Sequence, residues 1–148
     1  MQKITQSFIL SAGVLLLITS LAKFASGFGS VYILNVQDPI FGIPFRYLFW
    51  TVGFFEFAVA IVCLNTDRVI MQAWIIAWLA TGIVIYRFGL YFVNYTGACP
   101  CLGNLAGVLH ISSKTAELIM GWIAAYLLIG SYSVLFFEWQ KEGNKGGH

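Results

Sequence analysis

The chain has 148 residues, of which 59% are hydrophobic and only 9% charged, with a mean hydropathy of +0.84. Soluble domains carry about 25% charged residues, so this chain lacks the polar surface needed to face water and reads as one integral membrane domain spanning 1–148. A formal charge of +2 gives no basis for binding nucleic acid, and three cysteines exclude a disulfide-dense secreted scaffold.

The N-terminal run "MQKITQSFILSAGVLLLITSLAKFASGFG" has the lysine and apolar stretch of a signal peptide. Its apolar part extends from about Phe8 to Phe28, long enough to span a bilayer, and no clean small-x-small cleavage site follows. We expect a retained first helix over 8–28. Three more segments of spanning length follow at 46–64, 70–93 and 117–138. Lipid cannot satisfy open backbone groups, and these spans are too long for barrel strands, so the expected fold is an all-α, four-transmembrane-helix bundle. The 94–116 loop carries "CPC" and a short polar tail fills 139–148. Pro39, Pro44 and Pro100 all fall in connections, where a missing N–H costs least.

Loop cations set the expected orientation. Lys3, Arg68, Lys141 and Lys145 lie on one side, Arg46 and Lys114 on the other. The excess places both termini in the cytoplasm and the cysteine loop outside, where disulfides persist. Before the last helix, "SSKTAE" offers Ser112 or Ser113 as an N-cap and puts Glu117 in the first turn, near the positive helix end. His110 in the same loop reads as a solvated side chain, with ligand or proton-relay duty as the alternative.

Three ionisable residues fall inside the spans: Lys23, Glu56 and Arg87. Insertion scales charge about 2.5–3.5 kcal/mol for Lys or Arg at a helix centre. Lys23 lies about 7.5 Å and Arg87 about 9 Å from the outer ends of their helices, near enough for snorkelling. Glu56 sits deeper, about 15 Å into helix two. Its structural reading is an ion pair with Lys23 or Arg87. Its functional reading is a polar pocket that holds a quinone head group, moves a proton or stabilises a thiolate. Tyr86, Phe88, Tyr91, Phe92 and Tyr95 fit an interfacial aromatic belt, with a quinone-stacking wall as the alternative.

Cys99 and Cys101 flank a single proline. An extended three-residue stretch points the two side chains to opposite faces, so closing a disulfide there demands a turn and leaves strain, which favours exchange over scaffolding. A structural role and Cu(I) binding by two thiolates remain open. Zinc and iron–sulfur centres need four ligands, and no second cysteine pair exists. Cys63, near the opposite end of helix two, reads as a small buried apolar residue.

Together, a lysine late in helix one (Lys23), a glutamate within helix two (Glu56) and "CPCLG" at 99–103 make the chain resemble the DoxX-like and MauE-like redox-associated membrane proteins. The likeness covers nearly the whole chain in architecture. The family's usual loop is closer to Cys-Gly-Cys-Phe-Gly, where this chain has proline and leucine. The resemblance implies a bacterial inner-membrane protein at the junction of thiol chemistry and the quinone pool. On that reading Cys99 and Cys101 are the redox pair, exchanging with a periplasmic thiol protein. Glu56 relays protons, and Lys23 and Arg87 line the pocket. The competing expectations are a non-catalytic subunit packed within a larger membrane complex, and a copper or small-molecule carrier.

Overall fold

The computed structural model describes residues 2–28, 32–94 and 113–145. Cys99, Cys101 and His110, and with them the loop readings above, lie outside the described residues. Among the described residues, four α-helices make up the fold: α1 (Gln2–Gly27), α2 (Phe45–Asn65), α3 (Val69–Phe92) and α4 (Ser113–Lys145). All four are long and apolar enough to cross a membrane. The shortest, α2, has 21 residues and rises about 31 Å, close to the hydrocarbon thickness of a bilayer. The chain is therefore an all-α, multi-pass membrane bundle, as the hydropathy pattern predicts.

The helices outrun the apolar windows that predict them. α1 starts at Gln2 rather than near Phe8, and α4 runs from Ser113 to Lys145 rather than over 117–138. Helical hydrogen bonding continues past the point where side chains turn polar, so hydropathy marks the span and not the helix. One expectation fails as a result. Glu117 falls in the second turn of α4, and the first turn holds no acidic residue.

Neighbouring helices run antiparallel in two close pairs. In the α1/α2 pair, Gly13 lies against Cys63, where an added Cβ would come within 3.1 Å of the cysteine Cβ. Further along, Lys23 meets Glu56. In the α3/α4 pair the Thr81 and Tyr132 hydroxyls lie 3.3 Å apart, and Arg87 reaches the Glu117 carbonyl. The pairs join at the end that carries both termini and the 66–68 turn. There the Phe8 ring fills a notch at Gly130, where any Cβ would collide with it at 2.0 Å. The Ser11 and Tyr126 hydroxyls share a 2.8 Å hydrogen bond. Small residues let helices approach closely in a membrane, where packing replaces the hydrophobic effect.

The apolar core fills this terminal half, with Leu16, Val59, Ala60, Ile76, Ala80 and Leu127 among its members. Cys63 is buried there as a free thiol, as expected of a small apolar residue. In-span hydroxyls turn back on their own helices: Ser20 bonds the Leu17 carbonyl, Ser26 that of Ala22 and Ser131 that of Leu128. Such back-bonding satisfies a hydroxyl where no water can.

Candidate functional site

Most of the buried polar residues gather in the other half, towards the 32–44 connection, while Gln72 and Ser131 are buried in the terminal half. Lys23 from α1 is 6% exposed and Glu56 from α2 is 2% exposed. The ammonium Nζ lies 2.7 Å from both carboxylate oxygens of Glu56, and the Thr19 hydroxyl, one turn before Lys23, donates to Oε2 at 3.1 Å. Gly53, one turn before Glu56, faces Lys23, where an added Cβ would stand 3.4 Å from the lysine Cβ, an ordinary packing contact. Burying either charge alone would be costly, whereas a paired and hydrogen-bonded ion pair offsets most of the penalty. The pairing corrects one expectation, because Lys23 does not snorkel to the interface. Of the two partners considered for Glu56, the structure selects Lys23.

Arg87 takes a different partner: its Nη2 donates to the Glu117 main-chain carbonyl at 2.9 Å. The guanidinium also lies beside Gly121, whose missing side chain leaves it room. Lys23, Glu56 and Arg87 nevertheless line one cavity of about 460 Å³ between α2 and α3. That volume falls within the range of small-molecule sites. The remaining wall is mostly apolar and aromatic, with Phe41, Phe45, Phe49, Phe55, Trp78 and Tyr86 among its residues. The three in-span charges thus share a site, through one ion pair and one main-chain contact.

Sequence reasoning missed the cavity's cover. Asp38, in the connection after a short 3-10 turn (Tyr32–Asn35), is 1% exposed. Its Oδ1 accepts the backbone N–H groups of Ile40 and Phe41, each at 2.8 Å, and its Oδ2 accepts the Tyr86 hydroxyl of α3. Phe41 stacks on the Tyr86 ring with centroids 6.0 Å apart and planes 12° from parallel. Gly42, at a φ of +67°, closes the turn. The signal was present in "DPIFG" at 38–42, an acid, a proline and a glycine at turn spacing. Tyr86 therefore leaves the expected aromatic belt and faces inward. Tyr91 and Phe92 remain exposed, as a belt requires.

Among the described residues, no three His, Cys, Asp or Glu side chains gather as metal ligands. No family model, curated protein or solved structure matches the chain.

Proposed function

We propose that this chain is a bacterial inner-membrane redox protein that supports thiol–disulfide exchange with a periplasmic partner and passes the electrons to a quinone. The observation that carries the reading is the buried Lys23–Glu56 pair on the wall of a cavity whose remaining lining is mostly apolar and aromatic. A bundle that needed only to span lipid would fill that space with apolar side chains. Intramembrane charges mark substrate and proton pathways by default. The loop cations favour cytoplasmic termini, and on that orientation Cys99 and Cys101 fall on the periplasmic side.

In this scheme the two thiols of Cys99 and Cys101 give up two electrons and two protons to become a disulfide, and the quinone takes up both to become a quinol. A periplasmic dithiol then reduces the disulfide by exchange. Lys23 and Arg87 hold the quinone head, and Glu56 relays protons to it.

The test is thiol trapping in intact cells with a membrane-impermeant maleimide, with and without added quinone. Wild type should lose label on quinone addition, Cys99→Ser and Cys101→Ser should not respond, and Glu56→Gln should respond slowly. A pair that never changes oxidation state, with no phenotype in the double serine variant, would leave the chain as a non-catalytic packing subunit.

A further inference from the structure

The cavity has a closed end and an open flank. At the closed end the 38–43 turn is docked on α3. Asp38 bonds Tyr86, Phe41 stacks on the same ring, and Ile40 lies so close to Gly89 that a Cβ there would meet its Cδ1 at 2.9 Å. The base of the turn is tied by Asp38 N–H to the Ile43 carbonyl at 2.8 Å and Phe45 N–H to the Val36 carbonyl at 3.1 Å. A ligand entering there must break a hydrogen bond to a buried carboxylate and separate a stacked aromatic pair.

The flank between α2 and α3 is built differently. Trp78, Gly82 and Ile85 line it from α3, at the i, i+4, i+7 spacing of one helix face. Trp78 is 70% exposed and Ile85 is also exposed, so in a bilayer this face meets lipid. Gly82 stands between them, and a Cβ at Gly82 would meet nothing within 4 Å. The helix surface is therefore open at Gly82, which also lines the cavity. Inside lies Lys23. An ammonium has three donors, and among the described residues its only acceptor is Glu56. One donor, on a side chain more than nine-tenths buried, is thereby left without an acceptor among the described residues.

We propose that the gap at Gly82 is a lateral door, through which the head of a single-tailed amphiphile enters from the bilayer while its tail stays in lipid. The head carries a hydrogen-bond acceptor that takes the remaining donor of Lys23. This rests on the reading above only in taking that acceptor to be a quinone carbonyl. The door itself follows from the open glycine and the docked turn.

The experiment uses the full chain in lipid nanodiscs, with binding followed by quenching of tryptophan fluorescence. Three probes are compared: decylubiquinone, tailless ubiquinone-0, and decyl phenyl ketone, which has a tail and a carbonyl but accepts no electrons under these conditions. The key variant is Gly82→Leu, which fills empty space and is a better helix former than glycine, with Gly82→Ala as a milder control. Leucine should weaken decylubiquinone at least about tenfold in Kd and leave ubiquinone-0 within about twofold. Equal losses for tailed and tailless probes, or no loss for either, would overturn the door. Tight decylubiquinone binding that ignores residue 82 removes the door and keeps the quinone. Decyl phenyl ketone binding that depends on Gly82, with no preference for decylubiquinone over it, keeps the door and removes the quinone. If wild type binds none of the three, both fall.

Discussion

The same four helices build two unlike halves. Towards the termini, Leu16, Val59, Ala60, Ile76, Ala80 and Leu127 form a dry core, and Phe8 plugs the notch at Gly130. Towards the 32–44 connection the buried residues include Thr19, Ser20, Lys23, Ser26, Asp38 and Glu56. The buried residues of α3 make the contrast plain: all but Leu90 lie between Gln72 and Ala80, so beyond Ala80 the helix borders a cavity instead of a core. Mean hydropathy per span is similar, from 1.8 to 2.0, so it does not mark the helices that carry the buried charges. The difference lies in which side chains face inward. The terminal half is held mainly by shape, with the buried Gln72 amide donating to the Cys63 carbonyl at 3.0 Å, and the other half by one ion pair and hydrogen bonds.

The largest test of that contrast is to break the ion pair. Lys23→Met or Glu56→Leu alone leaves a buried charge without its partner and should cost about 3–5 kcal/mol of stability. The double variant Lys23→Met with Glu56→Leu should recover most of that loss, because nothing charged is then buried. Unfolding in mixed micelles measures all three. Additive losses would mean that the pair is not what holds this half together. In the dry half, Leu16→Ala or Leu127→Ala should cost about 3 kcal/mol through lost packing and the void left behind. Ligand binding to the surviving folded fraction should not change, since neither residue lines the cavity.

These two tests also separate what the sequence discloses from what it hides. Four spans, their order and the three in-span charges are visible as departures from apolar runs, because lipid penalises each charge so heavily. Partner choice is not visible. Lys23 and Arg87 lie at similar depths, and it is the antiparallel α1/α2 pairing, tight at Gly13, that brings Lys23 to Glu56. Asp38 escapes notice for a different reason. A carboxylate in a connection normally faces water, and its burial follows from Tyr86 standing 48 residues away in the chain. The cavity is a matter of packing between α2 and α3, which no local pattern records.

A middle-sized effect is expected at the cover. Asp38→Asn replaces an acceptor-only carboxylate with an amide, weakening the bonds from Ile40, Phe41 and Tyr86. The loss should be about 1–3 kcal/mol if it reaches global stability. Hydrogen exchange should locate it, with faster exchange at Ile40 and Phe41 and unchanged protection in α1 near Ala12. Uniform loss of protection along the chain would mean that the halves are coupled and the comparison is too sharp.

The smallest effect should come from the interhelical hydroxyl pair Ser11–Tyr126, which ties α1 to α4 in the dry half. Ser11 and Tyr126 bond at 2.8 Å, but both lie at the exposed edge of the bundle, and Ser11 also bonds its own Phe8 carbonyl at 2.8 Å. Removing the contact therefore strands no buried donor. Interhelical hydrogen bonds in membrane proteins average about 0.6 kcal/mol in double-mutant cycles, and the cycle Ser11→Ala, Tyr126→Phe should give a coupling of that size. The Lys23–Glu56 cycle should exceed it several-fold. Both cycles delete an interhelical polar contact, so any gap between them measures burial and charge rather than hydrogen bonding as such. Equal couplings would show that the loop half draws no special stability from its ion pair, and that its two charges are held in place by the surrounding helices alone.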